Sequence, residues 1–129
     1  MNCLFCKIAK KEIPSDLVFE NDEIFSFLDI HPVSDGHILV IPKAHYEKMT
    51  DTPDELLSKL FVECKKLMIA IKKALNADYV AVSVVGVDIP HFHIHLVPRR
   101  HDDGLAGFWP TKEFVDGKLI LEKIKKALD

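Results

Sequence analysis

The 129-residue sequence has only three cysteines and no apolar run near the roughly 20 residues that cross a bilayer. An odd and small number of cysteines argues against a disulfide framework. Residues 1–7 also lack the basic segment and long apolar stretch of a signal peptide. We therefore expect a cytoplasmic protein with no membrane partner.

An excess of positive charge is also lacking, since the formal net charge is −3 and the isoelectric point is near 6.1. We therefore expect no nucleic-acid partner. No Gly-x-Ser-x-Gly, P-loop or dinucleotide fingerprint occurs, so those chemistries have no support. With 48% hydrophobic residues and no repeat or low-complexity run, the chain is predicted to be one domain over 1–129. Its core would lie roughly within 1–100, with a C-terminal loop and helix in 101–129.

Histidine is the residue type that stands out, because three of the seven histidines alternate with apolar residues in segment 90–99. Such alternation is typical of a half-buried strand, whose apolar side chains face a core while His91, His93 and His95 line the other face. A row of imidazoles suits metal binding. It equally suits nucleophilic catalysis, in which one imidazole attacks and a neighbour assists the leaving group. A polar strand face without chemistry is the least favoured interpretation.

Cys3 and Cys6 form a CxxC pair at the start of the chain. A redox dithiol is the least favoured interpretation, because such a motif normally follows a strand and opens a helix. Two packing cysteines or half of a zinc site remain, and the histidines could complete a tetrahedral zinc site. Cys64 lies in the apolar stripe of a predicted helix, where a buried and inert thiol is expected.

The apolar patterns predict an α+β fold: an antiparallel five-stranded sheet with one long amphipathic helix and short terminal helices. The first two strands form a hairpin, and the third is apolar enough to be central and covered on both faces. The strands are predicted at 17–20, 24–30, 37–42, 79–85 and 90–99, with a short strand or turn at 114–115.

The long helix is predicted to begin with a capping box, in which Thr52 is the N-cap, Pro53 the first helical residue and Glu55 the partner. It ends at residues 76–78. A single helical turn is expected within 7–15, and a C-terminal helix at 118–128.

The segment His91–Val97 fits the His-φ-His-φ-His-φ-φ signature, where φ is apolar, and resembles the histidine triad (HIT) superfamily. The resemblance covers roughly the first hundred residues and includes four further segments: Cys3–Ile8, Glu12–Pro14, Phe27–Ile30 and Gly36–His45. It is similar to the Hint-type branch of nucleotide hydrolases rather than to the uridylyltransferases, whose motif ends in glutamine.

The resemblance implies a HIT-like fold and cleavage of a purine nucleoside 5′-phosphate from an amine or phosphate leaving group, in a phosphoramidate or dinucleoside polyphosphate. His93 would attack the α-phosphorus and form a nucleotidyl-histidine intermediate. His95 would be the donor to the leaving group. Together with His37 it would also stabilise charge on the phosphoryl group.

Further site residues follow from the same resemblance. Asp29 matches the carboxylate that holds the ribose hydroxyls, and Asp88, in the turn before the triad, is expected to contact the substrate. The apolar pocket for the base would be formed by Leu4, Phe5, Ile8, Phe27, Ile30 and Leu39. Each of these six residues alone would equally suit an ordinary core.

Family members with a CxxC pair bind structural zinc, and the matching ligands here are Cys3, Cys6, His45 and His91, a tetrahedral set. The resemblance also implies a two-fold homodimer. Leu56, Phe61 and Met68 are candidates for its apolar patch.

One segment departs from the family pattern. Many relatives carry asparagines and a Gly-Gln pair before the triad, whereas segment Ser83–Asp88 has Val87 where the glutamine would fall. A nucleotide-binding protein with little or no turnover is therefore an alternative. A third hypothesis is a catalytic metal held by the triad itself.

Overall fold

The computed structural model describes residues 2–105 and 117–128. Its strands form one antiparallel sheet, in which the strands lie in the order first, second, third, fifth and fourth of the chain, and the α+β prediction is confirmed. Trp109 and the short element predicted at 114–115 lie outside the described residues. In chain order the elements are α1 (Leu4–Ala9), β1 (Leu17–Glu20), β2 (Ile24–Leu28), β3 (Ile38–Pro42), α2 (Asp54–Leu75), β4 (Tyr79–Ser83), β5 (Ile94–Arg99) and α3 (Gly117–Leu128).

Strand β3 is central and buried along its whole length, as its apolar sequence predicts. Its side chains alternate between two cores because successive residues leave opposite faces of the sheet. Ile38 and Val40 join a large core that includes residues of α2 and α3, whereas Leu39 and Ile41 join a smaller core with residues of α1. The smaller core lies on the sheet face that carries the histidines.

Helix α2 buries the predicted apolar stripe, in which Leu60, Cys64, Leu67 and Ile71 are at most 2% exposed. The spacing of three and four residues places these side chains on one side of the helix. Burial raises the pKa of the Cys64 thiol to about 12, in agreement with an inert packing role. The helix ends at Asn76, whose φ of 53° is left-handed.

The predicted capping box of α2 is wrong. The first helical residue is Asp54, and Pro53 holds the N-cap position without a side-chain hydrogen bond. The Thr52 hydroxyl instead donates to the backbone carbonyl of Lys48 at 3.1 Å, which closes the short 3₁₀ turn before the helix. Glu55 therefore has no capping partner in Thr52.

The N-terminal helix is also placed differently from the prediction, because α1 begins directly after Cys3 rather than within 7–15. The sulfur of Cys3 occupies the N-cap and accepts the backbone N–H of Cys6 at 3.5 Å. The CxxC pair thus opens a helix, and the short turn predicted downstream is the end of that helix.

The histidine strand is shorter than predicted, since regular pairing in β5 starts only at Ile94, opposite Val40 of β3. The backbone N–H of Phe92 donates instead to the carbonyl of Tyr46 at 2.6 Å. His91 and His93 therefore lie in the segment that leads into the strand, and of the three histidines only His95 lies within it. The strands predicted at 24–30 and 79–85 likewise end early, at Leu28 and Ser83.

The apolar surface of α2 bears on the predicted dimer. Leu56 is buried in the large core, and Phe61 and Met68 pack against it within the same chain. Val62 and Ile69 are the exposed apolar residues of this helix, at 55% and 61%. A two-fold dimer stays a prediction.

Within 2–105 and 117–128, none of the helices has the length and apolar character needed to cross a membrane.

Candidate active site and metal centre

The three histidines of the triad are all buried, with 0%, 2% and 4% exposure for His91, His93 and His95. Helix α1 covers this face of the sheet. The ring of Phe5 lies edge-on to His93, with 5.1 Å between the ring centroids, and 6.0 Å from His91. The triad histidines are therefore buried side chains rather than part of a polar surface.

Cys3, Cys6, His45 and His91 converge in space, as the resemblance implies, with all four candidate ligand atoms within 4.8 Å of one another. The Nδ1 of His91 lies 3.4 Å from the Cys3 sulfur and 3.5 Å from the Cys6 sulfur. The Nδ1 of His45 lies 3.3 Å from the Cys6 sulfur.

These distances fit a tetrahedral zinc ion. Ordinary Zn–S and Zn–N bond lengths at tetrahedral angles place sulfur and nitrogen about 3.5 Å apart. The other ring nitrogen of His91, Nε2, donates its hydrogen to the carbonyl of Pro42 at 2.8 Å. That bond leaves the lone pair on Nδ1, which faces the sulfurs, as in the supporting contacts of metal-bound histidines. The donor set and its support therefore suit a structural zinc site.

His93 is oriented by a single backbone contact. Its Nδ1 lies 2.7 Å from the carbonyl oxygen of His91, so the Nδ1–H must donate there. In the neutral ring the lone pair is then on Nε2. The carboxylate oxygen Oδ1 of Asp88 lies 3.6 Å from this Nε2. The predicted nucleophile thus has a defined reactive atom.

His37 and His95 form a pair whose hydrogens are also determined by the backbone. The N–H of Val33 donates to Nδ1 of His37 at 3.0 Å, so the hydrogen of a neutral His37 is on Nε2. That Nε2–H donates to Nδ1 of His95 at 3.0 Å. His95 must therefore carry its own hydrogen on Nε2, where it can act as a donor.

Both members of this pair are neutral near pH 7. Burial and, to a smaller extent, the neighbouring His95 lower the pKa of His37 to about 3. Burial and the proximity of His93 lower the pKa of His95 to about 4. A neutral pair is what the chain of hydrogen bonds from Val33 requires.

Asp29 lies beside the pair, with its Oδ2 atom 3.6 Å from Nε2 of His37. Its Oδ1 accepts the backbone N–H of His31 at 2.8 Å. Burial raises the pKa of this carboxyl above its usual value. Asp29, His37 and His95 also offer ligand atoms within 4.8 Å of one another. The direct contact at 3.0 Å between the imidazoles is explained by a hydrogen bond without an ion.

The catalytic-metal hypothesis gains no support from these contacts. It needs the three imidazoles of the triad to share one ion. His91 directs Nδ1 to the cysteines, His93 directs Nδ1 to a carbonyl, and His95 directs Nδ1 to His37.

Of the six residues expected to form the base pocket, four are buried and two are exposed. Phe5, Ile8, Phe27 and Leu39 belong to the smaller core and are at most 7% exposed. The rings of Phe5 and Phe27 pack edge to face at 5.5 Å. Leu4 and Ile30 are exposed, at 45% and 71%. Whether they contact a base stays a prediction.

Three features of the site were absent from the sequence prediction. The backbone groups of Val33 and Pro42 orient His37 and His91, and no side-chain pattern signals them because nearly any residue offers the same groups. The third feature is an open groove of about 340 Å³ beside His93. Its walls include Glu47, Lys48, Met49, Thr50, Val84, Val85, Gly86 and Phe92.

Residues 10–102 match the model of the HIT domain, over most of the chain. The chain belongs to the HIT family. Its similarity to curated HIT proteins extends well beyond the triad. It is 40% identical over 113 residues to the adenosine 5′-monophosphoramidase HNT1 of Saccharomyces cerevisiae, which covers 86% of this chain and 72% of that protein.

Two further similarities bear on function and metal. The HIT protein is 34% identical over 127 residues to the adenylylsulfatase HINT3 of Arabidopsis thaliana, which covers 95% of this chain and 63% of that protein. It also resembles the crystal structure of a Zn-bound histidine triad family protein from Mycobacterium smegmatis. The TM-score is 0.90 and the identity 29%, over 99% of this chain and 94% of that one.

Proposed function

We propose that this HIT protein is a nucleotide hydrolase or transferase that cleaves a nucleoside 5′-phosphate from an amine or phosphate leaving group. The observation that carries the proposal is the 2.7 Å contact of His93 Nδ1 with the His91 carbonyl, which leaves a lone pair on Nε2. The similarity to an adenosine 5′-monophosphoramidase and to an adenylylsulfatase supports an adenylyl group as the part transferred.

The proposed reaction has two displacements. In the first, the Nε2 lone pair of His93 attacks the α-phosphorus and the bond from phosphorus to the leaving group breaks. The leaving group departs with the electron pair, accepts a hydrogen bond from His95 Nε2–H, and takes a proton from water. In the second, the resulting hydroxide attacks phosphorus and the N–P bond breaks, which returns the lone pair to His93. One water is consumed in total.

The neutral pair formed by His37 and His95 acts as a fixed donor in this scheme. A hydrogen bond aimed at a site where charge develops costs no reorganisation during the reaction. Asp29 is proposed to hold the ribose hydroxyls. Phe5 and Phe27 are proposed to form the wall against the base. Purine preference, a two-fold dimer and a cytoplasmic location stay predictions.

We further propose a structural zinc ion at Cys3, Cys6, His45 and His91. When bound, the ion would supply no chemistry beyond holding its four ligands and the start of α1 together. His91 links this site to the reaction, since its ring belongs to the metal cluster while its carbonyl orients His93. The zinc site would therefore support the nucleophile indirectly.

The test uses hydrolysis of adenosine 5′-phosphoramidate by the full chain and its His93→Ala variant. We expect hydrolysis by the wild type alone. A mass increase of one adenylyl group, mapped to His93 after rapid quenching, would identify the intermediate. Unchanged hydrolysis by the His93→Ala variant would refute the proposal.

A nucleotide-binding protein without turnover is the second candidate. It is favoured by Val87, which is 86% exposed at the position where relatives place a glutamine donor. Micromolar binding of AMP, with no product from either phosphoramidates or dinucleoside polyphosphates, would support this candidate over the hydrolase.

A further inference from the structure

A carboxylate lies close to the attacking nitrogen of His93. Oδ1 of Asp88 lies 3.6 Å from His93 Nε2, and the same oxygen accepts the backbone N–H of Ile89 at 3.1 Å. This contact with its own backbone orients the carboxylate towards the site. A substrate whose phosphorus is attacked by His93 would therefore bind close to a negative charge.

The neighbouring imidazoles do not offset this charge. His37 and His95 are both neutral near pH 7, because burial lowers their pKa values to about 3 and 4. Asp29 is a second carboxyl near these rings, with its Oδ2 atom 3.6 Å from His37 Nε2. Within residues 2–105 and 117–128, the ion-pair partners of His37 and His93 are thus both acidic.

The groove beside His93 offers room for a leaving group but adds no net charge of its own. Its wall carries one acidic and one basic residue, Glu47 and Lys48, whose charges oppose each other. Apart from His93, its remaining described lining residues have no ionisable side chain. The carboxylate of Asp88, 3.6 Å from the reactive nitrogen, is then the described group that we expect to distinguish leaving groups by charge.

We propose that Asp88 determines the class of leaving group, favouring an amine that carries a positive charge over an anion such as phosphate or sulfate. The inference rests on the proposed function, since it concerns the bond that His93 would break. The inference distinguishes amine leaving groups from anionic ones, a choice that membership of the HIT family leaves open. The names of the similar proteins include both a phosphoramidase and a sulfatase.

The test compares three adenosine 5′-phosphoramidates of similar size, formed from 1,3-diaminopropane, butylamine and β-alanine. Their leaving groups are cationic, neutral and anionic. For the wild type we expect kcat/KM to fall in that order. In Asp88→Asn, the cation-to-anion ratio of kcat/KM should fall about tenfold, the order expected for unit charges about 4 Å apart that are screened by water. An effect of Asp88 on the common intermediate cancels in this ratio.

The matched control is Asp22→Asn, an exposed aspartate in the turn between β1 and β2. It should leave the ratio unchanged. Because the Asp88 side chain is 66% exposed, we also expect the wild-type ratio to shrink as salt rises from about 50 to 500 mM. A ratio that is the same in Asp88→Asn and the wild type overturns the inference while leaving the hydrolase proposal intact.

A binding measurement covers the case of no turnover. Calorimetric Kd values for the cationic and anionic compounds are compared between His93→Ala and the double variant His93→Ala/Asp88→Asn. An about tenfold smaller preference for the cation in the double variant supports the role of Asp88 even without turnover. Equal preferences overturn it, and failure of both compounds to bind overturns the inference together with the proposed function.

Discussion

Nε2 of His37 and Nδ1 of His95 lie 3.0 Å apart, and the backbone N–H of Val33 determines the direction of the hydrogen bond between them. Because Val33 occupies the only other ring nitrogen of His37, the hydrogen of His37 must point to His95. The Nε2–H of His95 then faces away from His37. A backbone group thus sets the donor atom of a side chain two hydrogen bonds away.

Replacement of His37 by leucine should lower kcat about tenfold to a hundredfold with a smaller effect on KM. The loss of one buried hydrogen bond costs about 1–3 kcal/mol and leaves the hydrogen of His95 free to move to Nδ1. Asparagine, whose amide can still donate to His95, should restore part of kcat. The measurement is steady-state hydrolysis of adenosine 5′-phosphoramidate. His31→Leu is the control because His31 is exposed, and equal kcat in the wild type and His37→Leu would contradict the prediction.

Low pH should destabilise the folded protein through protonation of His37 in the unfolded state. The folded state holds His37 neutral down to about pH 3, whereas an unfolded histidine takes up a proton below about pH 6.5. The unfolded state therefore binds more protons between these values, and the stabilisation present above pH 6.5 is lost as pH falls. From pH 7 to 5 the loss attributable to His37 is about 2 kcal/mol.

The measurement is urea unfolding at pH 7, 6 and 5 for the wild type and His37→Asn. The stability difference between the two should narrow by about 2 kcal/mol at pH 5, since the variant lacks the titrating ring. Both proteins retain the cysteine–histidine cluster, so its own pH dependence cancels. His31→Asn should show no narrowing, and a constant difference for His37→Asn would contradict the argument.

The elements that depend on side-chain periodicity could be predicted from the sequence. The buried stripe of α2 around Leu60 and Leu67 and the apolar run of β3 are examples, because their patterns directly encode which faces are covered. The start of α2 could not be predicted in the same way. The capping pattern predicts that the Thr52 hydroxyl accepts a helix N–H, whereas it donates to the backbone carbonyl of Lys48, a partner that no side-chain pattern signals.

The candidate site likewise has features that the sequence predicts and features that it does not. Alternation alone places the three triad histidines on one face, but it does not reveal that they have different partners. Cys3 and His91 are 88 residues apart in the sequence, so only the family resemblance suggested their meeting. The contacts of Val33 and Pro42 are made by backbone atoms, which carry no residue-specific signal.

Replacement of a metal ligand should both remove zinc and lower the free energy of unfolding. In Cys6→Ser the hydroxyl is a poor zinc ligand, so we expect the purified variant to lose its metal and several kcal/mol of stability. Elemental analysis and thermal unfolding measure the two effects. Cys64→Ala is the matched control, since Cys64 is buried in α2 away from the cluster. It should retain zinc in full.

Hydrolysis should resist chelators at temperatures where the metal-free protein stays folded. The reason is that the cluster holds His91, whereas the proposed reactive atom belongs to His93. Activity that falls in proportion to zinc content in a folded protein, and returns with added zinc, would favour a catalytic metal instead.

Gly36, directly before His37, should tolerate no side chain. Its φ is +88°, and an added Cβ would meet Cδ1 of Leu75 at less than van der Waals separation, with Cγ of Pro98 3.3 Å away. The left-handed backbone costs about 1–2 kcal/mol for an L-residue, and overpacking of the core adds about 1–3 kcal/mol. We therefore expect Gly36→Ala to lower the free energy of unfolding by about 3 kcal/mol.

Gly86→Ala separates these two contributions. Gly86 has a similar φ of +73°, but nothing lies within 4 Å of an added Cβ, so the backbone cost of about 1–2 kcal/mol should appear alone. Urea unfolding of both variants at pH 7 measures the difference. A larger loss of unfolding free energy in Gly36→Ala than in Gly86→Ala would show that the contact with Leu75 of α2 requires glycine before His37. Equal losses would show that Leu75 moves aside and that backbone conformation alone requires the glycine.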